Sequence, residues 1–239
     1  MKILALQHGE FDHPGVFRHL LAEDGHDLVS VHLYAGETPP PLDGFDGLIV
    51  GGGIMDVWEK DIHPWLAAEK ALIREAVAER GLPYLGLCLG HQLLACALDG
   101  AVGKAARPEV GVKIVQMTEE GAVSLFLDDV PEEFPCLQWH GAEITRLPEG
   151  AKVLATSPAC AVQAMSWGPR AFSTQFHLEA DAETAANWTA DRVARDTLDI
   201  HLGPGGADRL IADCAAHMER FNTNAERIYI NWLQAGARV

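Results

Sequence analysis

Leu85-Gly86-Leu87-Cys88-Leu89-Gly90-His91-Gln92 sets a cysteine between two glycines where an apolar run gives way to helical periodicity. A sharp strand-to-helix turn strains the dihedrals of its central residue. It also needs small neighbours, here Gly86 and Gly90, so that the two backbones can approach. A thiol at such a turn lies by a helix N-terminus, whose partial positive charge favours the thiolate that attacks carbonyl carbon. That chemistry needs a base, and Phe176-His177-Leu178-Glu179 supplies one at the end of the apolar run Ala171 to Phe176. Residues two apart in extended chain share a side, so Glu179 can hold the tautomer and orientation of His177. The chemistry also needs donors for an oxyanion, and Gly51-Gly52-Gly53 follows the apolar run Gly47 to Val50. The N–H groups of Gly53 and Leu89 are the candidates. Taken singly, these are a buried filler, a core histidine and a turn. Taken together, each at a strand end, they predict a triad of Cys88, His177 and Glu179 doing nucleophilic acyl chemistry.

The elements that must position them are legible as alternation. Lys2 to Gln7, Leu28 to Leu33, Gly47 to Val50 and Leu82 to Leu87 read as buried strands separated by helical stretches, the pattern of βαβ units. A helix starting at Pro64 puts Ala68, Leu72, Ile73, Ala76 and Val77 on one face before Gly81 ends it. After Gly100, short β-like pieces follow around Val112 to Met117, Leu137 to Trp139, Val153 to Ala155, Ala161 to Trp167 and Ala171 to Phe176. From Asp181, a good N-cap, the chain reads as helical with a break at Gly203 to Gly206. Its apolar stripe of Leu210, Ile211, Cys214, Met218 and Phe221, continued by Ile228 and Trp232, is core packing or a dimer face. Two borders of the site are open to other residues: His8 and Glu10 after the first strand, and Asp56 to His63 as a rim carrying Trp58.

With 239 residues, 48 % hydrophobic and 22 % charged, the chain can bury one substantial core. A formal net charge of −16 opposes docking on nucleic acid or anionic lipid. No apolar segment is long enough to span a bilayer, and Met1 to Gln7 lacks the features of a secretory leader, so a cytoplasmic protein is expected. The five cysteines form no CxxC pair, so neither a disulfide framework nor a zinc knuckle is expected. HExxH, EF-hand and Walker motifs are absent, and the acidic pairs at Glu119-Glu120, Asp128-Asp129 and Glu132-Glu133 read as solvated surface. No cofactor or metal is expected.

The Gly-x-Cys-x-Gly-x-Gln of Gly86 to Gln92, the His-x-Glu of His177 to Glu179, Gly52-Gly53 and Trp139-His140-Gly141 resemble the class I glutamine amidotransferases. Within that family the chain is most similar to stand-alone proteins like the glutaminase half of GMP synthetase. The similarity covers residues 1 to about 180. It implies an α/β, three-layer flavodoxin-like fold with a mostly parallel central sheet, a catalytic domain at 1–180 and a helical C-terminal extension at 181–239 packed on it. It also implies a γ-glutamyl thioester on Cys88 and a binding role for Gly52, Gln92, Gln138, Trp139 and His140. The implied ligand is glutamine or a γ-glutamyl small molecule. An ammonia-accepting protein and a homo-oligomer are left open. Three departures stand out: Leu178 in place of the proline between His and Glu, Ile54 in place of the proline after the oxyanion glycine, and Ala142-Glu143 where related sequences carry Asp. Three hypotheses follow: a glutaminase supplying ammonia, a γ-glutamyl amide or peptide hydrolase, and a non-catalytic binding protein.

Overall fold

The computed structural model describes residues 1–237. In chain order the elements are β1 (Lys2–Gln7), α1 (Val16–Glu23), β2 (Asp27–His32), β3 (Gly47–Val50), α2 (Trp65–Arg74), β4 (Tyr84–Leu87), α3 (Leu89–Ala97) and β5 (Ala101–Met117). There follow α4 (Glu119–Ala122), β6 (Glu133–Arg146), β7 (Ala151–Thr156), β8 (Ala164–Trp167), β9 (Ala171–Thr174), α5 (Thr184–Trp188), α6 (Arg192–Leu202) and α7 (Gly206–Ala237). One nine-stranded sheet runs β2-β1-β3-β4-β9-β8-β7-β5-β6. The pairs from β2 through β9 are parallel, and those from β9 out to β6 are antiparallel. The sheet is therefore mixed, with its parallel character confined to the half that holds the site.

Alternation along each strand sends side chains to opposite faces, and two cores result. Leu4 and Leu6 of β1 face Leu66 and Ile73 of α2 and Leu93 and Leu94 of α3. Ile3 and Ala5 face Phe17 and Leu21 of α1 and Ile228, Tyr229 and Trp232 of α7. These helix–sheet–helix layers close the expected three-layer fold. The stripe along α7 is core, with Leu210, Cys214, Phe221, Ile228 and Trp232 all buried. Its lower part packs with Leu198 of α6 and Leu137 of β6.

The region after Gly100 departs from the short pieces expected. Strands β5 and β6 form one long antiparallel hairpin whose register slips between Lys104 and Glu109. The helix after Pro64 ends in a π-helical turn over Glu75–Glu79 before Gly81, at φ +63°, reverses the chain. Helix α5 begins later than expected, with Glu183 rather than Asp181 at its N-cap; the Asp181 Oδ1 closes the turn before it, accepting the N–H groups of Glu183 and Thr184 at 3.1 and 3.0 Å. The acidic pairs at Glu119-Glu120, Asp128-Asp129 and Glu132-Glu133 are all exposed. Residues 238 and 239 of the expected extension lie outside the described residues.

The close approach foreseen for the two elbow glycines is present. A Cβ on Gly86 would lie 2.8 Å from the Gly90 carbonyl carbon and oxygen, and one on Gly90 would strike the carbonyl oxygen of Val50 on β3. Backbone cannot yield as a flexible side chain can, so Gly90→Ala should cost about 3 kcal/mol and lower Tm by roughly 6 to 12 °C. Thermal unfolding of the variant measures this, and an unchanged Tm would show that α3 can slide on β3.

Candidate active site

Three neighbouring parallel strands end at the same edge and each delivers one part of the site. Leu87 of β4 pairs with Thr174 of β9, and Val50 of β3 pairs with Gly86 of β4. The residues just past those ends are therefore adjacent: the glycine loop after β3, Cys88 after β4, and Gln175 to Glu179 after β9. This is the carboxyl-end crevice of a parallel sheet, where ligands bind in such folds.

Cys88 sits at φ +50° and ψ −98°, outside the regions that L-residues ordinarily occupy, at the N-cap of α3. Its N–H donates to Thr174 O at 2.8 Å and its carbonyl accepts from Gln92 N at 3.2 Å, so strand and helix clamp the bend from both sides. Tyr84 Oη donates to Gly90 O at 2.8 Å and fixes the first turn of the helix. Cys88 lines a cavity of about 1240 Å³. Gln175 Nε2 reaches Cys88 Sγ at 3.6 Å, and Gln92 Nε2 donates to Gln175 Oε1 at 3.1 Å and to Ala142 O at 3.1 Å.

His177 lines the same cavity. Its N–H donates to Leu137 O at 2.9 Å, tying it to β6, and its Nδ1 lies 2.6 Å from Glu179 Oε1. Burial opposes charge on this ring. The Glu179 carboxylate and the Cys88 sulfur, each also a hydrogen-bond partner, outweigh burial and hold its pKa well above the usual imidazole range. Glu179 is anchored through its backbone, since its carbonyl accepts from Val16 N at 2.9 Å at the start of α1. Gly15, at φ +48°, makes room for that contact, because a Cβ there would fall on the same carbonyl oxygen.

The glycine loop lies against the side chains of both Cys88 and His177. A Cβ on Gly52 would be 3.0 Å from His177 Cε1 and 3.7 Å from Cys88 Cβ, and one on Gly53 would be 2.8 Å from Leu89 Cδ2. Gly90 N donates to Gly51 O at 3.1 Å, which couples the loop to the elbow. Below it, His8 presents Nδ1 to Gly52 O at 2.7 Å and Nε2 to Glu69 Oε1 at 2.8 Å. Both ring nitrogens face acceptors. Burial disfavours the imidazolium, but the Glu69 carboxylate outweighs it and raises the pKa of His8.

The class-I glutamine amidotransferase family model matches residues 17–194. The chain is 30 % identical to a subunit of the glutamine-hydrolyzing GMP synthase of Sulfolobus acidocaldarius, over 75 % of this chain and 89 % of that protein. The chain belongs to the class-I glutamine amidotransferases. It is also 28 % identical to Gamma-glutamyl peptidase 5 of Arabidopsis thaliana, over 70 % of this chain and 68 % of that one. Among solved structures, a glutamine amidotransferase from Methylobacillus flagellatus superposes with a TM-score of 0.86 at 26 % identity, covering 98 % of this chain and 94 % of that one. The family's fold and its amidohydrolase chemistry are thereby placed on this chain.

This amidotransferase holds a second buried Cys-His-Glu grouping, Cys160, His140 and Glu109, with the composition of such a triad and donor atoms within 4.8 Å of one another. Its environment differs from that of the elbow. The Glu109 carboxylate accepts from Ser157 Oγ at 2.9 and 3.0 Å and from Gln163 Nε2 at 2.6 Å. Burial pushes the Cys160 thiol up to about 12, and it donates to Val162 O at 3.5 Å. Of the three, only His140 lines the cavity.

The expected binding residues divide in the same way. Gln92, Trp139 and His140 line the cavity, as do Gly53 and Leu89. Gln138 does not: it is fully buried on the other side of β6, donating to Gln163 Oε1 at 2.8 Å. Trp139, one step along the strand, faces the opposite way and presents its carbonyl 4.0 Å from Cys88 Sγ. His8, Glu10, Asp56, Ile62 and His63 border the cavity, while Trp58 does not. Sequence reasoning missed Gln175, Asp12 and Trp188. Gln175 stands two residues before His177, and the same-side rule that found Glu179 would have found it. Asp12 lines the cavity with its carboxyl pKa raised by burial, and nothing in the run Phe11 to His13 signals that position.

Proposed function

We propose that the chain hydrolyses the side-chain amide of glutamine or of a γ-glutamyl compound, with Cys88 as nucleophile, His177 as acid and base, and Glu179 as the group that orients His177. The observation that carries this reading is a cysteine held at positive φ in the lining of the cavity, beside an imidazole locked by a buried carboxylate. The Cys88 sulfur adds to the amide carbon, and the carbonyl oxygen gains charge facing the N–H groups of Gly53 and Leu89. His177 passes a proton to the leaving nitrogen, the C–N bond breaks, and ammonia or an amine departs from a γ-glutamyl thioester. Neutral His177 then takes a proton from water. The hydroxide attacks the thioester, the C–S bond breaks, and glutamate leaves with Cys88 restored.

Gln92, Trp139 and His140 form the adjoining walls for the glutamyl part, while Gly52 lies behind them against His177 and off the cavity lining. Gln138 is dropped from that set. The Cys160 grouping is read as structural, because its thiol is buried off the cavity and its carboxylate is saturated by Ser157 and Gln163. A cytoplasmic setting, with the ammonia passed to an accepting protein, belongs to this reading; it is supported by five unpaired cysteines and by similarity to one component of a GMP synthase. Among the described residues no helix is long and apolar enough to cross a membrane.

Incubation with a thiol-directed glutamine analogue, followed by peptide mass spectrometry, tests the assignment. One adduct on Cys88, together with equimolar ammonia and glutamate from glutamine, is expected. An adduct on Cys160, or on neither cysteine with no ammonia released, would overturn it.

A further inference from the structure

The proton donor fixes where the leaving group lies. If His177 protonates the departing nitrogen, as proposed above and on which this inference rests, that nitrogen and its substituent occupy the side of the cavity next to the imidazole. One wall there is Trp188 of α5, whose ring stands against His177 at 4.5 Å between centroids and 72° between planes. Trp139 crosses Trp188 in turn at 6.1 Å and 74°. The Trp188 indole N–H is already donated to Phe11 O at 3.2 Å, so the ring offers the cavity hydrocarbon rather than a donor. Beyond it the wall continues with Val193 and Ala194 of α6.

Size and charge narrow the occupant. The cavity is about 1240 Å³, which suits a ligand well beyond a free amino acid. Ammonia would leave the Trp188 wall uncovered. Among the described residues, no lysine or arginine lines the cavity, whereas Glu10, Asp12, Asp56 and Asp191 do. A leaving group carrying a carboxylate, as every amino acid leaving a γ-glutamyl peptide does, would find no lysine or arginine there to offset those carboxyl groups, while His8 and His177 are each already paired with a carboxylate, Glu69 and Glu179.

We propose that the helices α5 and α6 build a leaving-group subsite selective for apolar amines without a carboxylate, so that the preferred substrates are γ-glutamyl amides of aryl-alkyl or alkyl amines. Trp188 sets this selectivity. The reaction is the one already written, the amide C–N bond breaking and the free amine leaving with the proton from His177.

Four substrates separate the terms: γ-glutamyl-phenethylamide, γ-glutamyl-methylamide, γ-glutamyl-phenylalanine and glutamine. The first two release amines of similar basicity and differ in apolar surface, while the first and third differ in a carboxylate. The phenethylamide should exceed each of the other three in kcat/KM by at least about tenfold, as expected for filling an apolar pocket. Trp188→Ala should reduce the phenethylamide-to-methylamide ratio at least about fivefold. Val193→Asp, at a position 76 % exposed and so harmless to folding, should reduce it in the same direction. Ile200→Ser, exposed on α6 and away from the cavity, should leave the ratio unchanged. Equal turnover of the phenethylamide and methylamide, or preference for γ-glutamyl-phenylalanine or glutamine, would overturn the subsite while leaving the triad standing. Failure on all four, with Cys88 unlabelled by the glutamine analogue, would overturn the triad as well.

Discussion

Cys88→Ser should lower kcat for amide hydrolysis by about 10⁴-fold or more, while Cys160→Ser should change it by less than about threefold. The contrast follows from where the two sulfurs are. Cys88 lines the cavity at the N-cap of α3, its backbone strained to φ +50°, with His177 acting on its sulfur by charge and hydrogen bond. A serine oxygen there is far less acidic than a thiol and cannot draw on a ready imidazolium partner in the same way. Cys160 donates to Val162 O beneath the surface, and serine can make the same bond. Initial rates of glutamate release measure both variants, and thermal unfolding confirms that each is folded. If Cys160→Ser were the dead variant and Cys88→Ser active, the Glu109-His140-Cys160 grouping would be the catalytic one.

The parts of this site that sequence could reveal are those in which a local backbone demand selects a residue type. Gly86 and Gly90 flank Cys88 because strand and helix meet there, and Glu179 follows His177 by two because extended chain repeats every two residues. The apolar runs at Lys2 to Gln7 and Gly47 to Val50 coincide with β1 and β3, both buried on two faces and so unbroken by polar residues. The long β5–β6 hairpin is different. It is half exposed, carries Pro108, Pro135 and three glycines, and slips register, so only its most apolar stretches show the alternation. The family resemblance gives Gln138 a binding role, yet the period of two turns it away from Trp139 and into the Glu109 network. Trp188 could not be foreseen as a wall of the site at all. Its place depends on how α5 folds back over β6 and His177, a long-range packing outcome with no local signature.

Glu179→Gln should lower kcat by about 10³- to 10⁴-fold while leaving the fold intact, because the amide keeps a side-chain partner near Nδ1 but loses the charge that stabilises the imidazolium. The pH dependence of stability gives a second, independent readout. Burial alone would lower the pKa of His177; Glu179 and Cys88 reverse that and raise it well above 6.5. A group whose folded pKa exceeds its unfolded value binds more protons folded than unfolded between the two. Its contribution to stability is then fully present below about pH 6.5 and is lost as pH rises through the raised value. Wild type should exceed Glu179→Gln in unfolding free energy most clearly at about pH 5.5, where the unfolded-state histidine is protonated. The gap should narrow at about pH 9.5. Urea denaturation at the two pH values measures it. A gap that widens with pH would mean that the buried pair is held as a neutral hydrogen bond, and that the imidazolium needed to protonate the leaving nitrogen forms only once substrate is bound.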